Sequence, residues 1–594
     1  MRLASLDWLV IGLFFALYLG IGFGVARRAG RSFGSFFLGG RTMPWWLLGF
    51  SMVATTFATD TPNLVTQIVR TSAVFGNWQW WAFLLSGLVT VFFFAKLWRR
   101  SGVLTDIEFN ELRYSGRPAA ALRGFRAIYL GVIFNTIVMA NVTLAAIKIG
   151  AVMLGLSPLQ TILIAATITA LYSSAGGLTG VVITDLIQFT VAMGGALAAA
   201  FYLVGLPEVG GWSSLIARPE VQSLLPVLPT FSTVPWDVLA AVFLMPLAIQ
   251  WWATYYPGSE PGGGGYVVQR VLAARNERHA AGAALLFNLL HYAVRPWPWI
   301  VIALASLAVF PNLDAIQERF PTLNPAILGH DLAYPAMLTF LPAGLLGIVV
   351  ASLIAAYMST MSTQLNWGSS ILVNDLYRRF LRPQASEHDL VRTGRAATAA
   401  LMLLACLVAL YLDSALQSFQ LLLQIGAGTG LLFALRWFWW RINALTEIVA
   451  MIVSFLVAVV LHVGHGFGLG AASQLLLGVA ITTVAWVAAA FLTPPTDESR
   501  LRAFYRQVQP GGPGWSAVLH RARRDGTALE TPGHTPDFAL ALIGTLSGLA
   551  AIWGLLFTLG ALLYGQTGAL IGCGLLTAAG AAGLVWVWPR LSFR

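Results

Sequence analysis

"GFSMVATTFATDTPNLVTQIV", residues 49–69, is the stretch on which the fold depends. It has the length and much of the apolar content of a membrane-crossing helix, yet its middle carries Thr55, Thr56, Thr59, Asp60, Thr61, Pro62 and Asn63. Pro62 offers no backbone N–H and disfavours helical geometry at Thr61, so carbonyls near residues 58–61 are expected to lose their helical partners. Freed carbonyls and helix ends at mid-membrane can hold small cations. A proline kink with hydroxyls bonded back to the preceding turn is the plainer reading. Asp60, a carboxylate placed beside that break, favours the functional one.

The rest of the chain supplies the membrane. Of 594 residues 58% are apolar and 10% charged, with a mean hydropathy of +0.75. A soluble enzyme, a disordered chain and a disulfide scaffold are excluded by that composition. Cys406 and Cys573 both lie in apolar runs, so neither a disulfide framework nor a Cys-based metal site is expected. The net charge of +11 is explained by basic cytoplasmic loops before nucleic acid need be invoked.

Fifteen apolar runs read as spans, from 7–26 to 565–588, with 124–155 and 335–373 longer than a bilayer requires. Basic residues fall on alternate loops: Arg27, Arg28, Arg31 and Arg41, then Lys96, Arg99, Arg100, Arg113, Arg117 and Arg123, then Arg270, Arg275 and Arg278, and further groups beyond. The loops 207–235 and 311–334 hold only Arg218 and Arg319. The asymmetry predicts an all-α polytopic protein of the cytoplasmic membrane, N-terminus outside and C-terminus inside. Residues 493–536, rich in Pro, Gly and Arg, read as a cytoplasmic linker, its arginines suited to anionic lipid.

Three further clusters set polar groups inside apolar spans. In the ninth, Ala356, Ser359, Thr360 and Thr363 fall at i, i+3, i+4 and i+7, with Ser362 beside them, so neutral oxygens share a face and suit a hard monovalent cation. Tight helix packing would use the same small face. In the sixth, Asp185 and Gln188 follow a glycine turn, and Asp185 calls for a cation or the Ser359–Thr363 hydroxyls as partner. In the seventh, Gln250, Trp251, Trp252, Tyr255 and Tyr256 precede Pro257 and four glycines, a helix break that fits a solute pocket or an interfacial aromatic belt. Lesser signals are Asn135, Asn141, His291, Arg295, Gln417, Gln420 and Gln424. No spacing for zinc ligands, a nucleophile elbow or an acid–base pair is present, so an enzyme is not expected.

Five pieces, "FFLGGRTMPWW" (36–46), "SMVATTFATDTP" (51–62), "SSAGGLTGVVITDLIQ" (173–188), "VVQRVLAARN" (267–276) and "AAYMSTMSTQLNWGSSILVNDLY" (355–377), resemble in order those of the sodium:solute symporter family, over about residues 5–465. The resemblance implies ten core helices in two inverted five-helix repeats, 43–206 and 236–436, each with a broken first helix, around Asp60 and around Trp252. It leaves an extra N-terminal helix with its basic inner loop at 1–42, an outer loop at 207–235, two helices at 437–492 and a terminal pair at 537–594.

By the same resemblance the main sodium site is formed by Ala58, Thr61, Ala356, Ser359 and Thr360, with Asp60 beside it. A second sodium would use Asp185, Ser359, Ser362 and Thr363. Solute candidates are Thr56, Asn63, Asn141, Gln250, Trp251, Trp252, Tyr255, Gln420 and Gln424. The stretch 256–265 reads as an insertion, and Pro62 and Asn63 stand where proline-transporting members have Ser-Gly, so no named solute contact carries over. The implied function is sodium-coupled symport of a sugar, amino acid or carboxylate by alternating access. Proton coupling through Asp60 or Asp185 is the rival, and a membrane sensor the more distant one. The expected partners are sodium, a small solute and the bilayer; a monomer is compatible with the sequence.

Overall fold

The computed structural model describes residues 3–29, 37–253, 264–321, 323–412, 414, 416, 420, 422–423, 425–426, 428–530 and 537–593, and the side chains within them except at 18–19, 21–29, 170–177, 326, 462–463 and 465. Among the described residues the chain is helical, with no strand beyond one parallel bridge between Met43 and Ala274.

Ten helices among the described residues are long and apolar enough to cross a bilayer. The remaining five of the fifteen expected runs fall short for identifiable reasons. The first helix, α1 (Ser5–Ala29), is described only in part. The second run is two helices, α2 (Trp45–Thr56) and α3 (Asp60–Ser72). The fifth is one limb of a longer helix, the seventh stops early, and the eleventh lies largely outside the described residues.

After α3 the chain runs through α4 (Val74–Ser101), the short α5 (Phe109–Arg113) and α6 (Gly116–Leu154). A capping box at Ser157 and Gln160, with Pro158 in the first turn, then opens α7 (Pro158–Val204). Read from the sequence this is two spans parted by a glycine turn; the structure gives one helical segment of 47 residues. A straight helix of that length would measure about 70 Å. Yet Ile164 shares a cavity with Val350 and Leu353, while Gly195 lies against Ile348 and Val349. Positions about 46 Å apart on a straight axis therefore reach the same turns of one neighbouring helix. The segment is therefore bent between its apolar limbs Pro158–Thr169 and Leu178–Val204.

Beyond the outer loop come α8 (Trp236–Ala248), α9 (Gly265–Ala273), α10 (Glu277–Val309), α11 (Leu345–Leu381) and α12 (Glu387–Ala409). Then follow α13 (Gly430–Phe438), α14 (Ala444–Val463), α15 (Ala471–Leu492) and the terminal pair α18 (Phe538–Leu563) and α19 (Thr567–Val587). Helices within lipid gain little from burial and cohere by close packing. At Gly430 a Cβ would stand 1.6 Å from the Trp252 carbonyl oxygen, so only glycine lets α13 meet the end of the seventh run so closely.

Two expectations change. Residues 493–536, read as a linker, hold two short helices, α16 (Glu498–Val508) and α17 (Ser516–Arg524), which fold onto the ends of α4 and α13. Trp515 Nε1 donates to the Trp437 carbonyl at 2.8 Å, Gln507 to that of Ser101 at 2.7 Å, and the Arg113 guanidinium lies over the rings of Phe504 and Trp515. Residues 531–536 lie outside the described residues. Second, Lys96, Arg113, Arg123, Arg270 and Arg436, assigned to loops by charge, are all buried. Most face a carboxylate, as Lys96 does Asp537, Arg123 does Asp375, and Arg436 with Arg126 does Glu447.

Candidate functional site

The break in the second run falls where Pro62 dictates. Pro62 stands in the first turn of α3, where a missing N–H costs nothing, so the helix restarts at Asp60 and the backbone of Phe57–Thr59 joins it to α2. The carbonyls without ordinary helical partners lie a turn earlier than the sequence suggests. Ala58 O still accepts from Thr61 N at 3.2 Å, whereas Thr55 O accepts from the Thr360 hydroxyl at 2.8 Å and Thr56 O from the Thr61 hydroxyl at 3.2 Å. Side chains thus satisfy the open C-terminal end of α2. Asp60 sits in the first turn of α3, where a negative charge meets the positive end of the helix, and its Oδ1 accepts from the Thr61 hydroxyl at 3.4 Å.

The small-residue face of α11 is brought against this break. Ala356, Ser359, Thr360, Ser362 and Thr363 are all buried. Thr360 bonds to α2, Thr363 lies 3.3 Å from the Thr55 hydroxyl, and Ser359 donates to Asp185 of α7 at 2.6 Å. Within the main sodium group, Thr61 and Thr360 thus both bond to the end of α2, Ala58 lies in the joining backbone, and Ala356 and Ser359 share the α11 face with Thr360.

Asp185, Ser359 and Thr363 of the second group are brought together too, around a residue the sequence assigned to a loop. Asp185 accepts from Ser359 and, at 2.5 Å, from Ser51, and the Arg270 guanidinium of α9 stands 3.8 Å away. Arg270 donates to Thr363 at 2.9 Å, to Ser51 at 3.2 Å and to Gln269 at 3.2 Å. A fixed cation thus already faces the oxygens nominated for a second sodium. Arg270 lies inside the "VVQRVLAARN" motif, which marked the region without marking this role.

The solute candidates separate into groups. Thr56 Oγ1 meets His291 Nδ1 at 3.1 Å and accepts from Arg295 at 2.8 Å. A π-helical turn at Leu290–Val294 sets His291 on that face, beside a cavity of ≈ 40 Å³ that Thr56, Ser86, Thr90, Tyr266 and Asn288 help to line. Asn63 is 1% exposed with neither end of its amide bonded, and the Asn141 carbonyl oxygen is likewise buried without a partner. Asn141 is held at the break, because Thr59 donates to the carbonyl of its neighbour Val142 at 3.0 Å. Gln250, Trp251 and Trp252 form a 3₁₀ turn that ends the seventh run, the two indoles 5.5 Å apart. Gln420 is exposed, while Tyr255 and Gln424 lie outside the described residues.

Comparison with known proteins adds a separate observation. Residues 36–454 match the profile of the Sodium:solute symporter family. The chain is 26% identical over 478 residues to a sodium/glucose cotransporter of Vibrio parahaemolyticus, a match covering 76% of this chain and 84% of that one. To sodium/glucose cotransporter 4 of Mus musculus it is 28% identical over 426 residues, covering 66% and 58%. A match to the sodium/mannose cotransporter SLC5A10 of Bos taurus, 27% identical over 422 residues, covers 66% and 67%. In fold it is similar to a sodium-coupled sialic acid symporter solved substrate-bound and outward-open, with a TM-score of 0.67, 22% identity, and coverage of 83% of this chain and 99% of that one.

Proposed function

The chain belongs to the sodium:solute symporter family, and from that premise we propose that it is built to carry a small polyhydroxylated solute, a hexose or a cyclic polyol, together with one sodium ion. It is an integral membrane protein and a sodium-coupled symporter rather than an enzyme. The observation that carries the site assignment is the Thr360 hydroxyl bonded to the open Thr55 carbonyl. It supports a sodium site of Ala58, Thr61, Ala356, Ser359 and Thr360, between elements that alternating access would move relative to one another.

The solute class is supported by the names of the relatives, which transport glucose, mannose and, in Mus musculus, myo-inositol. It is also supported by the unbonded amide of Asn63 and the unbonded amide oxygen of Asn141 at the break, each able to bond a hydroxyl. Trp251 and Trp252 offer apolar faces for a ring. A single sodium is supported by Arg270, whose charge faces Asp185 and Thr363. Within this reading 43–206 and 236–436 are the inverted repeats, the N-terminus lies outside, and the C-terminus lies inside with α16 and α17.

Sodium must favour the outward-facing state that takes up solute, since a ligand shifts a conformational equilibrium only by its differential affinity. Uptake of radiolabelled glucose, mannose and myo-inositol into proteoliposomes tests the reading. A sodium-stimulated rate with a Hill coefficient near one supports it. No stimulation by any of the three overturns the solute class, and a coefficient near two overturns the single sodium.

A further inference from the structure

The cytoplasmic face carries a polar cavity of ≈ 800 Å³ between the end of α4, the start of α6, the end of α11 and α16. Its charged walls are Glu108, Glu111, Arg117, Arg123, Arg379 and Arg500. Four guanidiniums thus face two carboxylates, and both carboxylates are already engaged. Glu111 accepts from Arg123 at 2.6 Å and from Arg379 at 2.8 Å, while Glu108 accepts from the backbone N–H of Leu104 at 2.7 Å. Arg123 is spent further on Asp375, at 2.7 Å. Arg117 and Arg500 make no hydrogen bond or ion pair among the described residues, and both are exposed at the cavity. They come from distant parts of the chain, the first turn of α6 and the first turn of α16.

The cavity's position names the ligand's source. Directly after Arg379, the last turn of α11 exposes Phe380 (45%) and Leu381 (72%), and the Arg379 guanidinium lies 5.4 Å from the Phe380 ring centre. Exposed apolar side chains beside arginines at the end of a spanning helix are the pattern of a membrane interface, where apolar groups meet acyl chains and guanidiniums meet headgroups. Two uncommitted guanidiniums lining one cavity match the charge of a phosphate.

We propose that this cavity binds the phosphate headgroup of an anionic phospholipid, held between Arg117 and Arg500, with its acyl chains beside Phe380 and Leu381. The bound lipid ties α16 to the start of α6 and so holds the cytoplasmic segment on the helix bundle. The inference is independent of the solute and sodium assignments.

The test is thermal unfolding of the full-length protein in detergent, titrated with short-chain phosphatidylglycerol, short-chain phosphatidylcholine or inorganic phosphate. Phosphatidylglycerol is expected to raise Tm saturably and phosphatidylcholine to leave it unchanged. The double variant Arg117→Gln/Arg500→Gln, both exposed positions, is expected to weaken the phosphatidylglycerol effect by about thirty-fold in midpoint concentration. Arg392→Gln/Arg395→Gln, which removes the same charge from the exposed start of α12, is expected to retain it. An unchanged midpoint in the first variant, or an equal loss in the second, overturns the site. Inorganic phosphate acting as strongly as phosphatidylglycerol overturns the lipid as its occupant.

Discussion

Replacing Thr360 by Val keeps the side chain's shape and removes its hydroxyl. That hydroxyl bridges α11 to the open end of α2 through the Thr55 carbonyl, at 2.8 Å and with Thr360 2% exposed. Leaving a buried carbonyl unpartnered costs about 1–3 kcal/mol. If the same oxygen is a sodium ligand, binding loses a comparable amount, which corresponds to a rise of about 5- to 150-fold in half-saturating sodium. The assay is initial solute uptake into proteoliposomes as a function of sodium at fixed solute, alongside thermal unfolding. Ser352→Ala is the control: Ser352 is buried on the same helix but donates only to Val349 within it, at 2.8 Å. Thr360→Val should raise half-saturating sodium while Ser352→Ala leaves it in place. A loss of thermal stability in Thr360→Val with unaltered sodium dependence would refute the reasoning, because the hydroxyl would then brace the helices without touching the ion.

Three other outcomes are expected. Asn63→Leu should raise KM for solute at least tenfold with half-saturating sodium unchanged, and should not lower Tm, because the amide it removes is buried with no bond to lose; a lower Tm would show that Asn63 is structural. Arg270→Lys should reduce transport more than tenfold, since the fork that reaches Ser51, Thr363 and Gln269 together is replaced by a point charge; uptake at the wild-type rate would remove Arg270 from the account. At Glu111, outside the spans, burial opposes ionisation, but Arg379 and Arg123 hold the carboxyl below its usual value. Its folded-state value being the lower one, its contribution to stability is present above the ordinary glutamate range and is lost as pH falls through the folded value. Thermal unfolding between about pH 6 and pH 3 should therefore show a steeper fall for the native chain than for Glu111→Gln, and parallel curves would count against the ion-pair assignment.

The parts of the site legible in the sequence were those written in backbone chemistry. Pro62 among hydroxyls marks a break without knowledge of any neighbour, and the break lies there. The i, i+3, i+4, i+7 face of Ala356, Ser359, Thr360 and Thr363 follows from helical geometry alone, and it meets the break. Basic residues were harder to read. Counting arginines by loop places Arg270 in cytoplasm, because charge near the end of an apolar run ordinarily means an exit from lipid. Only the tertiary arrangement shows Asp185 and three hydroxyls or amides waiting for it. His291 and Arg295 were visible as polar residues in an apolar span, but the π-helical turn that brings His291 to Thr56 leaves no mark in residue spacing. The folding of residues 498–524 was likewise hidden. Nothing in the spacing of Phe504 and Trp515 shows that Arg113 and the Trp437 carbonyl lie beneath them.

In the proposed function sodium is the ion that drives the solute across the bilayer. The most direct measurement is accumulation of the solute by proteoliposomes under an imposed inward sodium gradient, with a sodium ionophore added midway, repeated under an inward proton gradient in sodium-free buffer. Accumulation above equilibrium is expected in the first condition, with collapse on ionophore addition, and none in the second. Equal accumulation under the proton gradient alone would contradict sodium coupling.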